Sequence, residues 1–513
     1  MSRQQQQAEL QELQREKAQL AAQIALQKHA AAYPVTLQWP AKIEATTTRT
    51  KDELLQHRLL EAGVLYDTPT TVGDTAVSIA NFVQDLEKTG CFESIATEIG
   101  KGDEEGQHSL NVKLKEKSWY RVNVGGGLKS DGFFQPETVE GFLPTAELDA
   151  SIGLRNLSGN LDKTEFSYTL DSRSLSTWRM SHERPLFTVL PEALSEVVLG
   201  ETSGSRWSFL ASACVDTLDF ERTRSYKEYQ RQLSARISNQ HSIARAEQST
   251  DAFVGLEWSL LLRDLVPRRH DKLPFSFLAS PEVVSQTGPS LKHSISLEVR
   301  TNGSLSDDTW NPTQGLQGQA LAELAIPPGT VGFAKTQGSL SLHQALSSKL
   351  SAHGMLNAGF LKSLDWGGIC RPAGLSDRFH LGGPLQFRGF SPAGIGPRAG
   401  SGVASGDALG GSLFYSGTAM LSLLPTSSSK GGNPLDDWIE STGLRLFCFG
   451  SAGTCCDVAS PSAILASSRL SAGVGIVTTA MGPRLEMTYS YPVRFSPRDI
   501  RQNFQFGFGF SFG

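Results

Sequence analysis

From Trp119 onward the chain is written as segments of alternating apolar and polar residues, each about ten residues long and separated by clusters of Gly, Ser, Asp and Pro. Tyr120-Val122-Val124, Leu148-Ala150-Ile152-Leu154 and Leu485-Met487-Tyr489-Tyr491 occupy one face of three such segments. Arg121-Asn123 and Glu486-Thr488-Ser490 occupy the opposite face of two of them. The last segment is the extreme case, with Phe504, Phe506, Phe508, Phe510 and Phe512 on one side and Gln505, Gly507, Gly509 and Ser511 on the other. A period of two is the period of a strand, because successive side chains leave opposite faces. A soluble sandwich alternates too, yet a row of phenylalanines along one face of a terminal strand suits lipid better than a protein core. The expected fold is therefore a transmembrane antiparallel β-barrel over residues 119–513, which at roughly 25 residues per strand and loop gives about 16 strands.

Composition agrees with this reading and closes others. Gly is abundant at 50 residues and Phe (26) far outnumbers Tyr (9), which suits strands and turns. Apolar runs such as 260–262 and 463–466 fall far short of the ~20 residues that a spanning helix needs. The net charge of −5 leaves no basic footprint, so no nucleic acid is expected as a partner. The six cysteines lack CxxC spacing and the ten histidines lack HxxxH or HExxH spacing, so no metal or other cofactor is expected and the thiols should be unpaired. Gly509-Phe510-Ser511-Phe512-Gly513 matches a nucleophile elbow in letters only, because no Asp and His follow it, and the chain is not expected to be an enzyme.

Upstream the texture is different. Residues 1–34 are rich in Gln and Ala, with Leu10, Leu13, Leu20 and Ile24 at helical spacing, and read as a helix or tail. They resemble neither a secretory signal nor an acid-free presequence, since Glu9, Glu12 and Glu16 interrupt them, so import by internal information is expected. Residues 35–118 read as a small β-α-α-β-β domain. An extended run at 35–44 is followed by helices at 52–62 and 75–88, the second with Ile79, Phe82, Val83 and Leu86 on one stripe. Strands at 92–100 and 109–116 then flank the acidic hairpin Asp103-Glu104-Glu105.

Residues 365–404 form a stretch too long and too rich in Gly and Pro for a hairpin, and such loops are usually functional. It contains Gly382-Gly383 and then Phe387-Arg388-Gly389-Phe390. This pairing resembles the loop that folds into the lumen in the bacterial outer-membrane barrel-assembly and surface-antigen superfamily. Asp407-Ala408-Leu409-Gly410-Gly411 opening the next strand, Gly482-Pro483 before the penultimate strand and the aromatic last strand are similar in the same order. The domain at 35–118 resembles one polypeptide-transport-associated (POTRA) domain, with Gly90-Cys91-Phe92 at the family's Gly-x-Phe. A single such domain makes the chain most similar to the mitochondrial branch, the barrel subunits of the sorting and assembly machinery, and its Gln-rich N-terminus looks fungal.

The resemblance implies an insertase of the mitochondrial outer membrane that folds and inserts β-barrel precursors by strand templating at a lateral seam, with its POTRA domain in the intermembrane space. It implies precursors, peripheral machinery subunits on the cytosolic face, an inner-membrane organising complex and the lipid bilayer as partners. A protein-translocating pore, or a relative from a chloroplast envelope or bacterium, is the alternative; a passive porin would leave the POTRA domain and the loop without a role.

The residues themselves assign roles within that frame. A guanidinium inside a barrel must find acceptors in the wall, so Arg388 would pin the loop, with Gly389 allowing close backbone approach and Phe387 and Phe390 as wedges. Bacterial relatives place an acidic partner two residues before a strand glycine, but here the corresponding run is Phe447-Cys448-Phe449-Gly450, so that partner does not carry over. Glu486 is the candidate by charge and strand phase. Gln505-x-Gly507-x-x-Phe510-x-Phe512 matches the signal in the last strand of mitochondrial barrel precursors, and Gly509 adds a further small residue. The first strand, with Tyr120, Val122 and Val124, carries Gly125-Gly126-Gly127. Small residues on both sides suggest a seam that opens; the bland alternative is that they relieve crowding in the lumen.

Overall fold

The structure is a computed structural model that describes residues 32–45, 49–102, 107–129, 145–171, 175–186, 206–245, 248–268, 278–304, 312–400, 406–426, 434–457, 460–480 and 484–509. The Gln/Ala-rich stretch 1–31, the acidic hairpin, Gly482-Pro483 and the end of the last strand with Phe510 and Phe512 lie outside them. The chain divides into two units: Met1–Arg121 with Gly153–Thr164 and Arg184–Ser205, and Val122–Ile152 with Glu165–Glu183 and Arg206–Gly513.

In the first unit, β1 (Pro34–Thr36) pairs antiparallel with β3 (Pro69–Thr71). A separate three-stranded sheet has β5 (His108–Glu116) at its centre, parallel to β2 (Lys42–Ala45) and antiparallel to β4 (Phe92–Lys101). The expected single extended run at 35–44 is thus two strands in two sheets, and Pro40 between them has no N–H to offer a ladder. Two helices follow from clear signals, α1 (Asp52–Glu61) and α2 (Val72–Thr89). Thr71 caps α2 by accepting from the Asp74 amide at 3.1 Å, and Gly90 ends it at φ 65°, a left-handed backbone that glycine adopts without strain. Ile79, Phe82 and Leu86 bury against Leu55, Leu59, Leu110, Val112 and Leu114.

The remaining strands form one 16-stranded sheet in chain order. They are β6 (Tyr120–Lys129), β7 (Thr145–Arg155), β8 (Lys163–Asp171), β9 (Ser176–Leu186), β10 (Arg206–Asp219), β11 (Tyr226–Arg245), β12 (Gln248–Pro267) and β13 (Gly288–Ser304). After them come β14 (Gly315–Ala325), β15 (Phe333–Ala345), β16 (Leu350–Ser363), β17 (Leu413–Leu423), β18 (Arg445–Cys456), β19 (Arg469–Thr478), β20 (Arg484–Arg494) and β21 (Phe504–Gly509). Each strand is hydrogen-bonded to its chain neighbours; β6 and β21 are the two edges, and among the described residues no ladder joins them.

The burial of this sheet is inverted relative to a soluble protein. Leu256, Leu340, Leu342, Leu356, Val474, Met487, Tyr489 and Val493 are exposed, whereas Ser294, Ser351, His353, Thr418, Glu486, Thr488 and Gln505 are buried. Apolar outside and polar inside is the pattern of a wall facing lipid. No helix among the described residues is long and apolar enough to cross a membrane. Among the described residues four short helices interrupt the turns, α3 (Glu221–Arg224), α4 (Pro281–Val284), α5 (Pro434–Thr442) and α6 (Pro461–Ala466), where the sequence suggested none. At four to nine residues they are too short to show a stripe.

Leu110 is fully buried in the first unit's core. Leu110→Ala should therefore destabilise that unit by about 2–5 kcal/mol. Limited proteolysis should then cut within 32–118 at a lower temperature while the strand pattern of the second unit is retained.

Candidate functional site

The connection between β16 and β17, residues 364–412, is fastened to the wall at two places in the second unit. At the first, Arg263 of β12 grips Asp377 with two parallel bonds of 2.8 and 2.9 Å, and Lys335 of β15 donates to the Asp377 carbonyl at 2.8 Å. Burial alone would raise the Asp377 carboxyl, but the Arg263 guanidinium outweighs it and holds the group below the ordinary carboxylate range. Such a depressed group stabilises the folded loop above its unfolded-state pKa and loses that contribution as pH falls through the depressed value. Asp407, expected to open the next strand, belongs to the loop instead: it accepts from the Ser280 amide at 2.8 Å and from the Ser225 hydroxyl, and β17 begins only at Leu413.

The second fastening is Arg388, which is 2% exposed and among the largest fully enclosed side chains. Its Nε and Nη2 both donate to the Glu486 carboxylate of β20, the second at 2.9 Å. Arg484, two residues earlier on the same face of β20, donates to the same carboxylate at 3.0 Å. One carboxylate thus lies between two guanidiniums. The Arg388 guanidinium also lies over the Phe449 ring at 5.2 Å and the Phe447 ring at 5.7 Å. The run that replaces the acidic partner of the bacterial pattern therefore supplies aromatic faces to the same arginine.

Backbone and amide groups complete the latch. Gln505 of β21 accepts from the Gly389 amide at 2.8 Å through its carbonyl and donates to the Phe390 carbonyl at 2.8 Å through its amide nitrogen. Ser471 of β19 donates to the Arg388 carbonyl at 2.7 Å. Phe387 and Phe390 are both fully buried, with ring centroids 5.6 Å apart. Gly382 has φ 129°, and a Cβ there would sit 2.2 Å from the Ser391 carbonyl oxygen, so the Gly382-Gly383 corner admits no larger residue without moving the loop.

Several glycines act as seats for aromatic rings. Phe447 and Phe449 stand directly opposite Gly475 and Gly473 of β19, where an added Cβ would fall 2.5 and 2.9 Å from the rings. Gly507 of β21 likewise lies under Pro384 and Leu385 of the loop, at 3.2 and 3.1 Å from a built Cβ. That contact gives Gly507 a packing reason independent of any seam. Gly125 of β6 differs, because a Cβ there would meet nothing within 4 Å. Tyr120, Val122 and Val124 are exposed beside it, and Gly126, Gly127 and Gly509 lie on the edge strands.

The sequence offered Glu486 as the partner of Arg388, and the structure joins the two; it singled out Gln505 for the seam and not for its bonds to the loop, and it missed Arg484, Ser471, Asp377 and Arg263. Arg484 and Glu486 at i, i+2 share a strand face, which was the available signal. Cysteine labelling at position 391 measures how tightly the loop is held, since Ser391 is buried. Arg388→Ala and Arg388→Lys should both raise labelling of Ser391→Cys several-fold, because an ammonium makes neither the forked pair nor the same stacking. Gln505→Leu should do so to a smaller extent, and unchanged labelling in all three would place the loop's anchorage elsewhere.

Comparison with known proteins fits this geometry. A SAM50-like protein of Schizosaccharomyces pombe is 32% identical over 248 residues, 46% of this chain and 47% of its own length. The sorting assembly machinery 50 kDa subunit of Saccharomyces cerevisiae is 29% identical over 245 residues, 46% of each chain. The human sorting and assembly machinery component 50 homolog is 31% identical, covering 46% of this chain and 48% of its own. The matches span about half the length of these relatives. Among solved structures, BamA from Haemophilus ducreyi lacking POTRA domains 1–3 superposes with a TM-score of 0.63 at 16% identity, over 92% of this chain and 84% of that one, which establishes the likeness in fold. The Omp85 superfamily domain matches residues 156–512, and the chain belongs to that superfamily.

Proposed function

We propose that the protein folds and inserts β-barrel precursors into the mitochondrial outer membrane, as the barrel subunit of a sorting and assembly machinery. The observation that carries the reading is the pair of sheet edges, β6 and β21, which no ladder joins among the described residues. An edge strand presents a row of unpaired N–H and C=O groups, and in hydrocarbon each such group costs several kcal/mol. A precursor strand that adds to β6 satisfies those groups on both partners, so templating needs no nucleotide and no chemical step. β21 is the shortest strand of the sheet on the described residues, with six residues paired to β20, and the loop braces it through Gln505 and Gly507.

In this reading the N-terminal domain lies in the intermembrane space, where it meets precursors and contacts an inner-membrane organising complex, and peripheral subunits sit on the cytosolic face. Likeness to the SAM50 proteins supports the assignment.

The test is crosslinking in isolated membranes. A precursor with one cysteine in its last strand should crosslink to cysteines placed at alternate positions between residues 120 and 129, because a one-residue slip turns every side chain to the other face. Cysteines at 256–262 should stay silent. A disulfide joining β6 to Gly507→Cys should stop insertion until reductant is added. Normal insertion by the locked protein would show that precursors fold elsewhere.

A further inference from the structure

The turn between β7 and β8 is built differently from the turn of an ordinary hairpin. Hairpin loops are commonly two to five residues, whereas residues 156–162 form an irregular loop with three left-handed residues, Asn156 at φ 51°, Gly159 at φ 77° and Leu161 at φ 62°. A left-handed leucine is a true outlier and persists only where its surroundings dictate it. Here they do. Leu161 is 1% exposed and belongs to the core cluster of Leu55, Leu59, Phe82 and Leu110, so a residue of the strand region supplies part of the N-terminal domain's interior. All of these residues lie in the first unit.

Polar contacts fix the loop around that leucine. Asn156, 2% exposed, donates to the Thr50 hydroxyl at 2.7 Å and accepts the Leu161 amide at 2.9 Å. Thr50 donates in turn to Glu116, through its hydroxyl and through its amide at 3.0 Å, and Arg49 pairs with Glu116 at 2.9 Å. The Lys51 amide donates to the Gly159 carbonyl at 3.2 Å. A Cβ at Gly159 would lie 2.4 Å from the Arg49 carbonyl oxygen, so only glycine permits the approach. The Asp162 side chain accepts the Ser158 amide at 3.0 Å and closes the loop on itself.

We propose that the β7–β8 turn, Gly153–Thr164, is a working part of the N-terminal domain: Leu161 completes its core, the Asn156–Thr50–Glu116 chain locks it, and the turn moves with that domain. Load on the domain then reaches the chain through this turn as well as through the covalent link at 117–119. The strands that receive the load are the second and third from the β6 edge. Whatever binds the N-terminal domain thereby acts on the turn that joins these two strands, beside that edge.

Hydrogen exchange on the full chain in lipid nanodiscs tests the proposal without reference to precursor insertion. Leu161→Ala and Gly159→Ala should each raise exchange at least tenfold at the Lys51 amide and along 110–114, with β15–β18 unchanged. Coupling is reciprocal, so Phe82→Ala, made in the domain core, should raise exchange at the Leu161 amide by a similar factor while β11–β13 stay protected. If turn variants leave 110–114 protected, or if Phe82→Ala leaves the Leu161 amide protected, the turn is a spectator and the proposal fails.

Discussion

A charged side chain enclosed by a wall that faces lipid must be neutralised within hydrogen-bond reach, and the region around Arg388 is arranged to meet that condition. Glu486 takes two of the guanidinium's bonds and Arg484 shares the same carboxylate. Breaking such a buried pair from one side is costly because it strands the other charge. Everything near the pair is adapted to bring it together: glycines at 473 and 475 admit the rings of Phe449 and Phe447, those rings face the guanidinium, and Gln505 fixes the backbone on either side of the Gly389–Phe390 peptide. Four strands and one loop thus share a single point of charge compensation.

Much of this was readable from the chain. Alternation reports strand faces directly, so the inverted sheet and the lumen position of Glu486 followed from period and charge. What was not readable has a common cause, namely that the deciding partner is distant in sequence. Residues 34–45 look like one extended run because nothing local says that Val35 pairs with Thr70 while Ile43 pairs with Val112. The helices at 221–224 and 281–284 hold less than two turns, and no period emerges from four residues.

The glycines make the same point more sharply. In sequence, Gly507 and Gly125 are both small residues in edge strands. In the fold one lies beneath Pro384 and Leu385 while the other faces open space. The residue after which the N-terminal domain should stop was equally opaque, since Leu161 gives no sign in its own neighbourhood that it is buried among residues as distant in sequence as Leu55, Phe82 and Leu110.

The loop's two fastenings have a mechanical meaning. One end is tied to β12 and β15 through Asp377, the other to β19, β20 and β21 through Arg388, Ser471 and Gln505. A sheet spanned by such a strut is stiff between its points of attachment, which reach β11 as well, where Glu228 accepts from the Ser376 hydroxyl, so strain introduced at an edge relaxes most easily on the β6 side of β11. Compliance is thereby assigned to one side of the sheet. The β6 edge is the soft one and the β21 edge the rigid reference against which it yields.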